Sequence, residues 1–168
     1  MKDEIRPMIV IVMGVVGAGK TTIGRMLAEQ LGWTFADADD FHPQSNVEKI
    51  SHGIPLTDDD RRPWLEHLRA AIDNWIALRS SVVLACSALK RSYREQLEAG
   101  PEVRFVYLKG TASLIAERLR QRHGHFAGEQ ILASQFADLE EPKNAATVSI
   151  SQPPEQITAD IRQKLGLA

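Results

Sequence analysis

GVVGAGKT, residues Gly14-Val15-Val16-Gly17-Ala18-Gly19-Lys20-Thr21, fits the pattern G-x-x-x-x-G-K-[ST] at every fixed position. The spacing has a chemical reason. Glycines let successive backbone N–H groups turn inward around a phosphate, and the helix that follows adds the positive end of its dipole. Lys20 then reaches the β and γ oxygens of a nucleotide, and the Thr21 hydroxyl can ligate Mg²⁺, with Thr22 directly behind it. An ordinary glycine-rich turn would need none of this, so the flanks decide.

Upstream, Met8-Ile9-Val10-Ile11-Val12-Met13 is a continuous apolar run rich in β-branched residues, the pattern of a central strand covered on both faces of a parallel sheet. Downstream, Ile23, Met26, Leu27 and Leu31 share one face of a helix from Lys20 to Leu31, and Gly32 stands where a C-terminal cap belongs. The order is strand, phosphate loop, helix. Further out, an apolar-leaning stretch at Trp33-Thr34-Phe35-Ala36 reads as a second strand, and Thr57 with Asp60 three residues on starts a helix running to about Leu78. Val82 to Cys86 and Val103 to Leu108 are two more strands, followed by helices over Ser113 to Arg122 and Glu129 to Leu139. A short strand at Thr147 to Ile150 and a helix from Pro154 to Leu165 close the chain. Strands alternating with helices predict a three-layer α/β domain.

The chain has 168 residues, enough for one domain with a sizeable core and too few for two of ordinary size. A single domain over 1–168 is expected. Twenty basic and 22 acidic residues give a net charge of −2, which offers no general footprint for nucleic acid. Cys86 is the only cysteine, so no intrachain disulfide can form and a reducing cytoplasm is the expected compartment. The apolar run from Met8 to Val16 is interrupted by Gly14 and falls well short of a membrane span.

In many nucleotide hydrolases the strand at Val82 would end in an acidic residue that supports Mg²⁺. Here it ends in Cys86-Ser87, so a carboxylate must come from elsewhere. The stretch DADDFHP, residues 37–43, supplies three. In an extended segment Asp37 and Asp39 point to one side and Asp40 to the other. At the C-terminal end of a parallel strand that pair can face a γ-phosphate, although acidic clusters also serve as solvated turns. Trp64, Trp75 and Phe136 follow helical apolar spacing and are expected in the core.

With the phosphate loop, DADDFHP, NVEKISHGIPLTDDDRRPWL, CSALKRSYR, FVYLKG, RHGHF and SQFADLEEP occur in order, and together the chain resembles the gluconokinase family of small sugar-acid kinases. Two departures are visible: Val16 stands where the family commonly has Ser, and Ala38 where it commonly has Gly. The resemblance implies a P-loop kinase fold, a mostly parallel five-stranded sheet flanked by helices, with a mobile lid over about 118–130. It implies ATP as co-substrate, Mg²⁺, and transfer of a phosphoryl group to the 6-hydroxyl of D-gluconate. Asp39 is then the hydroxyl acceptor and Asp37, with Thr21, the partner of Mg²⁺. Arg61 and Lys90 match the positions of an anion clamp for the sugar acid, and His42 is a hydroxyl partner.

In the stretch ERLRQRHGHF, Arg118 and Arg122 lie one helical turn apart on one face. By analogy with small kinases Arg122 is a lid cation on the transferring group and Arg118 stacks on adenine, with Gln152 and Pro153 beside the base. A homodimer is also implied. Two other readings stay open: a related kinase for shikimate or a nucleoside monophosphate, and a nucleotide-binding switch.

Overall fold

In the computed structural model, residues 6–123 and 127–167 are described, with the side chains of 122–130 outside the description. Five strands form one sheet: β1 (Ile9–Met13), β2 (Thr34–Asp37), β3 (Val82–Ala85), β4 (Val103–Lys109) and β5 (Ala146–Ser149). Their order is β2-β3-β1-β4-β5, and every pairing is parallel. The expected strand content is therefore met, and the sheet is wholly rather than mostly parallel. β1 is the central strand, with Ile9 in register with Val82 on one side and Val103 on the other.

The unbroken apolar run of β1 is explained by its position. All five of its side chains have zero exposure and alternate between two cores. Val10 and Val12 pack with Ile23 and Leu27 of α1 (Lys20–Leu31) and with Ile157 and Ile161 of α7 (Pro154–Leu165). Ile9, Ile11 and Met13 face the opposite layer, with Trp64, Leu65, Leu68 and Ile72 of α3 (Asp58–Ala77) and Leu97 of α4 (Arg91–Leu97). Each such aliphatic side chain contributes about 1.5–3 kcal/mol on burial, so both layers are held by one strand.

The helix boundaries follow local signals. α1 ends at Gly32, whose φ of 70° is the left-handed cap its position suggested. α3 starts on a complete capping box, the Thr57 hydroxyl accepting from Asp60 N and the Asp60 carboxylate accepting from Thr57 N. α5 (Ala112–His123) and α6 (Ala127–Asp138) lie within a residue or two of the expected helices. α2 (Gln44–Ser51) and α4, of eight and seven residues, are too short to sustain a readable helical period and were not among the expected helices. Trp64 is buried at 2% exposure, as its spacing predicted. No described helix is long and apolar enough to cross a membrane.

Candidate active site

β1 ends in the phosphate loop, and the C-terminal ends of β2 and β3 open onto the same edge of the sheet. There a crevice of about 180 Å³ is lined by Val16, Lys20, Thr21, Asp37, Asp39 and Cys86 among others. The loop is held from inside: Lys20 Nζ donates to Val15 O at 3.0 Å, and Ala18 N donates to Val15 O at 3.1 Å. Gly17 is required twice over. Its φ is +80°, and a Cβ there would meet Leu119 Cγ of α5 at 2.8 Å.

The two aspartates do face this crevice together, for a reason other than strand alternation. Asp37 is the last residue of β2, and residues 38–41 form a 3-10 turn that Asp37 caps, its Oδ1 accepting from Asp39 N at 3.0 Å. The turn, not an extended chain, carries Asp39 to the crevice wall. Asp37 Oδ2 meanwhile accepts from Thr21 Oγ1 at 3.1 Å, which joins the second strand to the loop. Two hard oxygen groups at this spacing suit Mg²⁺, an ion that takes one or two protein carboxylates and completes its shell with water and phosphate. No cluster of three or more His, Cys, Asp or Glu suited to a metal occurs among the described residues.

Electrostatically the crevice is a compact set of opposed charges. Burial lowers the pKa of the Lys20 ammonium, and Asp39 and Asp37 partly restore it. The Asp39 side chain is 82% exposed at the crevice mouth, yet the nearby protein and then the neighbouring Asp37 charge hold its carboxyl above the ordinary carboxylate value against the pull of Lys20. The Cys86 thiol, buried behind them, is pushed up to about 12, so it stays protonated and is no nucleophile.

Behind Asp39 the acceptor side is built from distant elements. His42 stacks on Trp64 with ring centroids 4.5 Å apart, and its Nδ1 lies 3.2 Å from Asn46 Nδ2. Trp64 Nε1 donates to Ala38 O at 2.7 Å, fixing the 3-10 turn from below. Arg61 is 8% exposed and donates through Nη1 to Tyr93 Oη at 2.9 Å and to Asp138 Oδ2 at 3.1 Å. Lys90 donates to Asp58 Oδ1 at 2.8 Å, and the Tyr93 hydroxyl donates to the same oxygen. These two bonds, the ammonium first, hold the Asp58 carboxyl below its ordinary value. Asp58, Tyr93 and Asp138 thus organise the two cations. Sequence reading passed over all three, although each lies inside a segment that carried the resemblance.

A second cavity of about 380 Å³ opens on the other side of the loop, lined by Gly17, Gly19, Thr22, Arg118, Gln152 and Pro154 among others. Arg118 Nη2 donates to Ile150 O at 2.6 Å, and Gln152 Nε2 to Asp160 Oδ2 at 2.7 Å, so both walls are fixed. The neighbouring proline on the wall is Pro154; Pro153 caps α7 instead. Arg122, and with it the side chains of 122–130 in the lid expected over about 118–130, lie outside the described residues.

A shikimate kinase family model matches residues 16–163. A gluconokinase from Gluconobacter oxydans is 46% identical over 139 residues, covering 82% of this chain and 78% of the relative. The thermoresistant gluconokinase of Escherichia coli is 42% identical over 156 residues, covering 90% and 89%. The chain belongs to the gluconokinase family. Among solved structures, a gluconokinase from Sinorhizobium meliloti superposes with a TM-score of 0.86 at 43% identity, over 96% of this chain and 93% of that one. A shikimate kinase from Aquifex aeolicus, at 19% identity and a TM-score of 0.59, shares the fold alone. Membership in a kinase family makes ATP the co-substrate, and the three-layer P-loop kinase architecture is that of these gluconokinases.

Proposed function

We propose that this chain transfers the γ-phosphoryl group of ATP to the 6-hydroxyl of D-gluconate, giving 6-phosphogluconate and ADP. The observation that carries the reading is the crevice itself, in which Asp39 faces Lys20 beside a loop built for phosphate. Phosphoryl transfer asks mostly for positioning and charge neutralisation. The loop N–H groups and Lys20 hold the triphosphate, and Asp39 accepts the hydroxyl proton as the alcohol oxygen attacks. Thr21 and Asp37 are the residues that would hold Mg²⁺, which would supply neutralisation of phosphate charge when bound. Arg122 on the lid segment adds a further cation, and the lid keeps water from the transferring group.

Gluconate is distinguished from other alcohols by its carboxylate. Arg61 and Lys90 are the cations on the acceptor side, already oriented by Asp138, Tyr93 and Asp58. Both Arg61 bonds use Nη1, which leaves the rest of the guanidinium fork to meet an anion. His42 takes a sugar hydroxyl. On the nucleotide side, Arg118, Gln152 and Pro154 line the cavity that would take the adenine.

An ADP-release assay with gluconate, shikimate and AMP tests this directly. Rapid turnover with gluconate alone is expected; turnover with shikimate or AMP instead, or with none, overturns it. The resemblance suggests a homodimer and the lone Cys86 a reducing cytoplasm; light scattering in solution gives the mass that checks the assembly.

A further inference from the structure

One strong contact to the phosphate loop comes from neither nucleotide cavity nor acceptor wall. Gln135 of α6 accepts from Val16 N through Oε1 at 2.6 Å, across 119 residues of sequence. Val16 is the third residue of the loop. It lines the crevice shared with Lys20 and Asp39, and it is absent from the wall of the adenine-side cavity. Val16 thus borders the side of the loop where a terminal phosphate would sit, and Gln135 holds its backbone N–H there. Because the bond uses the backbone, it does not depend on which side chain occupies position 16.

Gln135 is itself well anchored. One turn further along α6, Asp138 pairs with Arg61 at 3.1 Å. Glu140 N donates to Leu89 O at 2.8 Å, and Arg94 Nη2 donates to Glu140 O at 2.7 Å. The helix end is thus stitched to both α3 and the loop after β3, so the carboxamide is presented from a rigid base. A neutral amide is also the residue type this place calls for. It satisfies the loop N–H as a carboxylate would, without setting a negative charge beside a triphosphate.

We propose that Gln135 is a positioning residue for the terminal phosphoryl group: its side-chain oxygen sets Val16 and the adjoining loop, and its neutrality keeps the γ-phosphate side free of negative charge. The inference rests on the phosphoryl-transfer reading of the crevice, but not on gluconate being the acceptor.

The decisive experiment measures nucleotide affinity without any acceptor, using ADP and a non-hydrolysable ATP analogue with Mg²⁺, on the wild-type chain and Gln135→Glu. Glutamate keeps an acceptor for Val16 N and adds one charge. The analogue should bind about tenfold more weakly, as expected for a unit charge several ångströms away at an intermediate effective dielectric. ADP, which lacks the γ-phosphate, should change no more than about threefold. Equal weakening of both nucleotides, or none, in a folded variant would overturn the proposal and leave Gln135 a helix tether.

Gln135→Met provides the second arm and keeps the question open to refutation if the glutamate variant does not fold. With the acceptor gone but the volume kept, kcat at saturating substrates should fall about tenfold while the acceptor KM stays within about twofold. An unchanged kcat would refute the role.

Discussion

The two halves of the crevice are made in different ways. The nucleotide half is mostly backbone from one contiguous stretch, Gly14 to Thr21, placed by the end of one strand and the start of one helix. The acceptor half is mostly side chains, drawn from the turn at Asp39, from α3, from α4 and its preceding loop, and from α6. A phosphate is the same in every nucleotide, so a loop of N–H groups serves it. An acceptor has to be chosen, and choice needs polar side chains that are left unpaired by the wrong molecule. Damage to the first half should therefore reach nucleotide binding and transfer together, whereas damage to the second should separate them.

The largest effect is expected where the halves meet. Asp39→Asn should lower kcat by about 10²–10⁴, the range for losing a positioned proton acceptor, while ATP affinity changes little. Stability should move the other way. The folded chain holds the Asp39 proton more tightly than an ordinary carboxylate does, so ionisation above that pKa opposes folding; the side chain is 82% exposed and solvent screens most of this, so the amide variant should melt at or marginally above the wild-type temperature at neutral pH. In the wild type the same shift sets the acid limb of the rate profile above the usual carboxylate range. Wild-type turnover in the variant would remove Asp39 from the reaction.

A smaller loss is expected on the backbone side. Gly17→Ala forces a left-handed residue and a Cβ 2.8 Å from Leu119 Cγ, at a cost of about 1–3 kcal/mol. Calorimetric titration should show weaker nucleotide binding; nucleotide affinity equal to wild type would mean that the loop relaxes without harm.

These contrasts also explain what could be read from the sequence. The sheet, α1, α3 and α7 were legible because burial on both faces, capping boxes and C-terminal glycines are local signals, and the phosphate loop is a fixed spacing. Asp37 and Asp39 were expected to share one side by strand alternation; both line the crevice, but a 3-10 turn capped by Asp37 is what brings Asp39 to the wall. Asp58, Tyr93, Asp138 and Gln135 were missed as site residues. Each acts through a partner 32 to 119 positions away, a pairing that only the folded chain displays.

Arg61→Ala should separate the two substrates. Its removal leaves Asp138 and Tyr93 without their donor, which costs roughly 1–3 kcal/mol of stability, and gluconate KM should rise at least tenfold with ATP KM unchanged. Arg61→Lys keeps the charge but not the fork, and should recover stability better than gluconate binding. An unchanged gluconate KM in the alanine variant would move the anion clamp elsewhere.

The smallest effect is the most discriminating for how the acceptor half is wired. Burial, and then the charge of Arg61, depress His42 to about 4, although Asp39 Oδ1 lies 4.0 Å from its Nε2 and pulls the other way. A depressed histidine stabilises the fold fully above its ordinary pKa of about 6.5 and loses that contribution as pH falls towards 4. The His42 ring should accordingly titrate near 4 by NMR, and His42→Phe, which keeps a ring on Trp64, should flatten the loss of stability over that window. In Arg61→Ala the midpoint should rise part of the way towards the ordinary value, because the second cause is gone while the first remains. A midpoint unmoved by that substitution would show that Arg61 and His42 do not share one field, and the acceptor half would then be two separate clusters rather than one.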